Sequence, residues 1–469
     1  MSDEAPDLPD LERVTAHIDD HFDTHLAMAQ EWVRQRSVSA DGIGIVEMAE
    51  LVLGGIESLG GHGEIVPTKG HPVVFGEVDV GAPRTLLVYC LYDVQPVEGE
   101  DWISPPFDAA VVDLPDVGPS VIGRGIMNSK GPLAGLIAAA QSLQAVTGSL
   151  PVNLKFAIEG EEELGSPHYA EFVQGHRAQL QADAALFPFY SQDSAGKVLM
   201  YLGVKGMLFL ELIARGGDWG GPATRAVHGM NAGWFHSPAW ALVQALSTML
   251  STDQRRILVD GLYDQVAPAT GEDRDLLRHL GTSFSVETQL REAGVSRFKH
   301  DLPPAELLET FLFEPGLNID GMVAGHHGEG MKTVLPHEAR AKIDVRLVPG
   351  MDPDVTARQI RDHLDRHGFS HVALHQIAAY PGSKGSASDR ANAPLLEIYR
   401  SSGVDLEVWP LVSGSAPLYV FTQTLGIPLA IGGLGHGGRQ HAPNEYATVE
   451  GMRLFEHSMA AYLQRLANS

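Results

Sequence analysis

The feature that most constrains this chain is an exchange between two hydrophobic periods over residues 84–180. RTLLVYCLYD, residues 84–93, is an unbroken apolar run ending in Asp93, the pattern of a strand covered on both faces. SKGPLAGLIAAAQSLQAV, residues 129–146, then sets Leu133, Leu136, Ile137, Ala140 and Leu143 at helical intervals. Ser129 stands where a helix cap belongs, with Pro132 tolerated in the first turn. VNLKFAIEGEEE, residues 152–163, returns to a strand ending in acids, and PHYAEFVQGHRAQL, residues 167–180, to a helix. Strand, helix, strand, helix predicts an α/β domain with a mostly parallel sheet and helices packed on it.

Residues 11–38 carry apolar positions at mostly helical spacing and predict an amphipathic opening helix. Near residue 200 the pattern changes to a long β-type segment, VLMYLGVKGMLFLELIARG, followed by helix-like AWALVQALSTML, strand-like EARAKIDVRLVP and amphipathic DVTARQIRDHLDRHG. The Gly/Ser-rich YPGSKGSASD, residues 380–389, reads as a hinge back to the first domain. The expected organisation is an α/β domain in two parts, residues 1–201 and 381–469, with an inserted α+β domain at 202–380.

The net charge of −26 repels phosphate backbones and anionic lipid, so neither nucleic acid nor a membrane surface is an expected partner. The acidic start MSDEAPDLPDLERV lacks the basic and apolar regions of a signal peptide, and no apolar run approaches membrane-spanning length. A cytoplasmic location is expected. Cys90 is the only cysteine, which excludes an internal disulfide and any thiolate cluster; a metal here would need His, Asp and Glu.

Four segments concentrate chemistry-bearing residues: YDVQP at 92–96, GRGIMNSKG at 123–131, EGEEELGS at 159–166 and QHAPNEY at 440–446. Singly, each acid or histidine reads as an ordinary solvated strand end or loop residue. Their order, with NIDGM, KTVLP and RLVPGMDP further along, resembles the M20 family of metallopeptidases, in particular its carnosinase-like and cytosolic non-specific dipeptidase branch. The resemblance runs over nearly the whole chain. It implies a zinc-peptidase-like catalytic domain, an inserted lid domain through which subunits pair as a homodimer, and two zinc or manganese ions at the edge of the catalytic sheet.

Carried over residue by residue, the resemblance puts the general base on Glu162 and metal ligands on Glu163 and His441, with Asp93 in the place of the aspartate that orients a ligand histidine. That histidine itself falls on Leu91, the bridging aspartate on Asn128, and a further aspartate ligand on Phe189, unless the register slips and brings Asp193 nearer. One ion would thus lose its ligands altogether. The other would keep Glu163 and His441 beside the Asn128 amide, so the expected cofactor is none, or a single weakly bound zinc or manganese ion. Cys90 faces away from Leu91 along a strand and is a poor substitute, whereas His436 is a better one; His326 and His327 read as lid-loop residues.

The substrate-facing positions look kept. His228 matches a lid histidine that polarises the scissile carbonyl, Thr333, Arg346, Gly414 and Ser415 match residues that hold the substrate backbone and carboxylate, and Asn128 is a further substrate-binding candidate. Metal-bound water has a pKa of about 7 against about 15.7 for bulk water, an advantage that Glu162 alone cannot replace. The sequence therefore points to an enzyme acting on an amino-acid or peptide-like small molecule with a free carboxylate. Its reaction would be hydrolysis with one weak metal, or metal-independent acyl transfer, amide formation, cyclisation or isomerisation. A non-catalytic ligand-binding protein of the same fold is the alternative.

Overall fold

A computed structural model describes residues 10–469, which form two compact units. The first comprises the chain as far as Leu202 together with Gly385–Trp409 and Val420–Ser469; the second comprises Gly203–Lys384 and Pro410–Tyr419.

The first unit is built on a six-stranded sheet in the order His62–Val66, Val73–Val78, Asn153–Glu159, Thr85–Leu91, Ala184–Pro188, Leu429–Gly432. The first three pair antiparallel, and the remaining pairings are parallel. Thr85–Leu91 lies between two strands, and all its residues from Leu86 onward are buried, which is why its sequence shows no polar alternation. Because the strands are parallel, the residues after Leu91, Glu159 and Pro188 emerge at one edge of the sheet. Open α/β sheets place their sites at that carboxyl edge.

Helices Leu11–Arg34, Lys130–Thr147 and Val449–Ala467 pack on one another. Lys130–Thr147 is buried around its circumference through its first three turns, and its composition is apolar on every side to match. A smaller sheet pairs Tyr446–Thr448 with Gly118–Ile122, matching Tyr446 with Ile122. This pairing brings the loop after Ile122 beside the loop before Tyr446, although they are far apart in sequence.

The second unit is an antiparallel sheet in the order Gly316–Ala324, Glu338–Leu347, Gly203–Arg215, Val372–Tyr380. Helices Pro238–Met249 and Pro353–Arg366 cover one face, closing a core that includes Leu208, Leu210, Leu212, Leu242, Met249, Ile343, Ile360 and Leu364. Helices on one face of an antiparallel sheet make this unit α+β.

Three local expectations need correction. The β-type segment near residue 200 is two strands, Val198–Tyr201 and Gly203–Arg215, because the first pairs with Leu406–Trp409 and the second joins the other unit's sheet. A Cβ on Gly203 would lie 2.3 Å from the Ser383 carbonyl oxygen, so glycine permits the close approach where the chain crosses over. Second, the helix expected over 167–180 is only Tyr169–Gly175. Third, Pro410–Tyr419 groups with the second unit, since Val412–Ser415 pairs with the start of Gly203–Arg215. Among the described residues no helix is long and apolar enough to cross a membrane.

Candidate functional site

At the carboxyl edge of the first unit's sheet, Asp93 follows the central strand and is fully buried. Its two carboxylate oxygens accept the backbone N–H groups of Glu162 and Glu163, both at 3.1 Å. Asp93 thereby fixes the short turn Glu162–Leu164 after the neighbouring strand. Burial, then the charge of Glu163, pushes the Asp93 carboxyl up to about 7. Leu91, two residues earlier, is completely buried and offers no ligand atom.

Glu163 is the hub of the cluster. One carboxylate oxygen accepts Gln95 Nε2 at 2.8 Å, and the other meets Asn128 Nδ2 at 2.9 Å and His441 Nε2 at 3.0 Å. Asn128 Nδ2 and His441 Nε2 are themselves 3.0 Å apart, so three side chains from distant loops close on one another. The hydrogen bond to Glu163 raises the pKa of His441, which favours a ring that donates Nε2–H to the carboxylate. Glu162, beside this hub, is pushed up to about 8, first by burial and then by the charges of Glu163 and Asp93. A carboxyl so shifted carries its proton at neutrality.

The loops owe their positions to residues not singled out as site residues above. Glu445 is fully buried; one of its oxygens accepts the backbone N–H groups of Met127 and Asn128 at 3.1 and 3.0 Å, and the other accepts Arg124 Nη1 at 3.2 Å. Both Gln95 and Glu445 lie inside the motifs YDVQP and HAPNEY, so the signal for them was present in the sequence. Ser129 does not cap the following helix: its hydroxyl has no partner, and its backbone sits at φ 119°, ψ −67°, a strained conformation for a residue with a Cβ.

The candidate metal ligands do not fit the two-ion centre implied by the resemblance. A catalytic zinc takes three protein ligands from His, Cys, Asp and Glu. Among the described residues no group of three or more such side chains is arranged to hold an ion. Leu91 and Phe189 are apolar, and Asn128 presents a neutral amide. Possible substitutes are committed elsewhere. Both His436 ring nitrogens are engaged, with the Gln192 carbonyl at 2.8 Å and Tyr446 Oη at 2.9 Å. Asp193 accepts the backbone N–H groups of Ala195 and Lys197, closing a local turn. In the second unit, His327 Nε2 accepts Ala324 N–H, and the nearest polar partner of His326 is the Glu329 carbonyl at 3.5 Å.

The second unit gathers the other candidates in two pairs. His228 Nδ1 accepts Met230 N–H at 3.1 Å, so the neutral ring carries its proton on Nε2, which lies 3.1 Å from Thr333 Oγ1. Both residues are exposed. Arg346 Nη1 donates to Ser415 Oγ at 3.0 Å, while buried Asp344 holds the guanidinium through Nε at 2.7 Å. Gly414 is exposed in the same short strand as Ser415. Lys205 is buried near Arg346, and burial, then Arg346, lowers its pKa to about 8.

A family described as Peptidase family M20/M25/M40 matches residues 88–465. The sequence is 28% identical over 396 residues to the Beta-Ala-His dipeptidase of Rattus norvegicus, covering 78% of this chain and 77% of that one. It is 29% identical over 367 residues to the Cys-Gly metallodipeptidase dug1 of Schizosaccharomyces pombe, covering 74% and 73%. Among solved structures, the M20 family metallo-carboxypeptidase Sso-CP2 from Sulfolobus solfataricus superposes with a TM-score of 0.85 at 30% identity, covering 95% of this chain and 99% of that one.

Proposed function

Because this chain belongs to peptidase family M20/M25/M40, we propose that it is a divergent enzyme of that family, working on an amide or peptide-like small molecule with a free carboxylate, without a two-metal centre. The observation that supports the proposal is a side-chain cluster at the implied ligand positions: Glu163, Asn128 and His441 meet at 2.9–3.0 Å, and Leu91 is buried.

Glu162 is the proton carrier. Held protonated by burial and by its acidic neighbours, it gives its proton to the departing amide nitrogen. The acyl carbon passes to an incoming nucleophile, water in hydrolysis or a hydroxyl or amine in transfer and cyclisation, whose proton returns to Glu162. His228 offers Nε2–H to the scissile carbonyl, and Arg346 with Ser415 binds the substrate carboxylate through charge-assisted hydrogen bonds. Asp93 acts through the backbone, as a positioning residue for Glu162 and Glu163.

The reading includes a cytoplasmic homodimer paired through the second unit. Support for pairing comes from the edge strand Gly316–Ala324, whose Ile319, Met322 and Val323 are exposed, and from exposed Trp234 and Trp240. An acidic chain with one buried cysteine suits a reducing, aqueous compartment.

The test is elemental analysis of full-length protein purified without chelator, then a screen of dipeptides and N-acyl amino acids with and without EDTA. Turnover that survives EDTA and is lost in Glu162→Gln is the expected result. Two tightly held ions per chain, with turnover abolished by EDTA, would overturn the metal-free mechanism. Unchanged turnover in Glu162→Gln would overturn the role of Glu162.

A further inference from the structure

The second unit contains a cavity of about 720 Å³ that none of the chemistry above uses. Its apolar lining is Val286, Leu290, Phe298, Leu302 and Leu307, and its cations are Arg255, Arg297 and Lys299. A volume in this range suits one small organic molecule.

Two independent features mark the cavity as a place for a ligand. Helix Val286–Ala293 has Val286 and Leu290 one turn apart, yet none of its residues is buried, because its apolar stripe borders the cavity instead of a filled core. Two of its cations are equally unspent, whereas Arg255 lies 3.9 Å from Asp253. Among the described residues neither Arg297 nor Lys299 has an ion-pair or hydrogen-bond partner, in a chain of net charge −26. Of the two acids at the cavity, Asp253 is committed: its carboxylate accepts Ser251 Oγ at 2.6 Å and Arg255 N–H at 3.2 Å within one turn.

We propose that this cavity binds a small amphiphilic anion, a carboxylate or phosphate ester on an aliphatic or aromatic body. The apolar wall takes the body, and Arg297 and Lys299 take the charged head. The site differs from the Arg346–Ser415 pair in using no residue of that pair.

The experiment is isothermal titration calorimetry of the full-length protein with octanoate, and with 1-octanol as its uncharged counterpart. Octanoate is expected to saturate one site per chain and to bind about tenfold or more tightly than 1-octanol, the scale of one charge-assisted hydrogen bond. The exposed pair Arg297→Glu/Lys299→Glu should weaken octanoate by at least about tenfold, with an unchanged circular dichroism spectrum. Phe298→Ala should weaken both ligands, and Arg346→Ala should leave octanoate binding intact. No saturable octanoate binding, equal binding of the alcohol, or binding that follows Arg346 instead of Arg297 and Lys299 would each overturn the proposal. So would binding that vanishes as a second copy of the chain associates, since that copy would then be the occupant.

Discussion

Asp93 accepts the backbone N–H of Glu163 at 3.1 Å, so an acid fully buried at the end of one strand sets the position of an acid after the next. Asp93→Asn keeps the shape but turns an N–H donor toward one of the two amides it served. The expected result is a loss of about 1–3 kcal/mol in denaturant unfolding, the cost of a buried donor left unpaired. Turnover should fall with it, because Glu162 sits on the same turn. Unchanged stability and turnover would show that the turn holds without this carboxylate.

Ser129 combines a strained backbone with a hydroxyl that bonds to nothing. Ser129→Gly removes the clash of Cβ at φ 119° and forfeits no hydrogen bond. It should raise stability by about 1 kcal/mol, since the strain relieved, of order 1–3 kcal/mol, outweighs the added freedom of the unfolded chain. A melting temperature that drops would mean that the serine is needed to hold Asn128.

The proposed absence of a two-metal centre is tested by filling the ligand positions that the resemblance implies. Leu91→His, Asn128→Asp and Phe189→Asp together would restore the donor types that the family resemblance places there. Zinc affinity by competitive titration should rise by at least roughly 100-fold over the parent, beyond what adjusting an outlying partner achieves. A parent that already binds zinc as tightly as the triple variant would contradict the reading of these positions.

Lys205 links the second unit's stability to pH. Its pKa of about 8 lies below the unfolded value of 10.5, so between these limits the unfolded chain binds more protons and stability rises with pH. The contribution missing below pH 8 is regained in full only above 10.5, a swing of about 3 kcal/mol. Lys205→Met should flatten the difference in unfolding free energy between pH 8 and 10.5 relative to the parent. Parallel pH profiles for the two proteins would exclude this lysine as the source.

Pairing through the second unit is checked at Trp240, which is exposed to 67%. Light scattering on the purified chain should give a dimer, and Trp240→Glu together with Ile319→Glu should shift it to monomer without unfolding it, since neither side chain is in the core. A parent that is already monomeric at tens of micromolar would remove the dimer from the proposal.

The parallel sheet was readable because a strand buried on both faces must be apolar throughout, as Leu86–Leu91 are. Glu163, Asn128 and His441 stand out through their motifs, and their side chains meet, while Glu162 lies on the same short turn as Glu163. The passage of Pro410–Tyr419 to the other unit was not readable, because parallel pairing of Val412 with Val204 leaves no local period in sequence. Nor was the strain at Ser129, which follows from how Glu445 pins the two preceding amides and not from any preference of serine. The Asp93 contacts were hidden for a related reason: a carboxylate that serves backbone amides leaves no mark on the residues it serves.

The chain passes between the two units at 202–203, 384–385, 409–410 and 419–420. During synthesis the second unit therefore cannot complete its sheet when residue 384 leaves the ribosome. It must wait for Val412–Ser415, with its edge at Val204 open meanwhile. Neither unit can be produced as one uninterrupted fragment, and a protease cut between residues 385 and 409 would not by itself release either of them. Vectorial synthesis thus meets a fold whose second unit closes only after Gly385–Trp409, a part of the first, has been made.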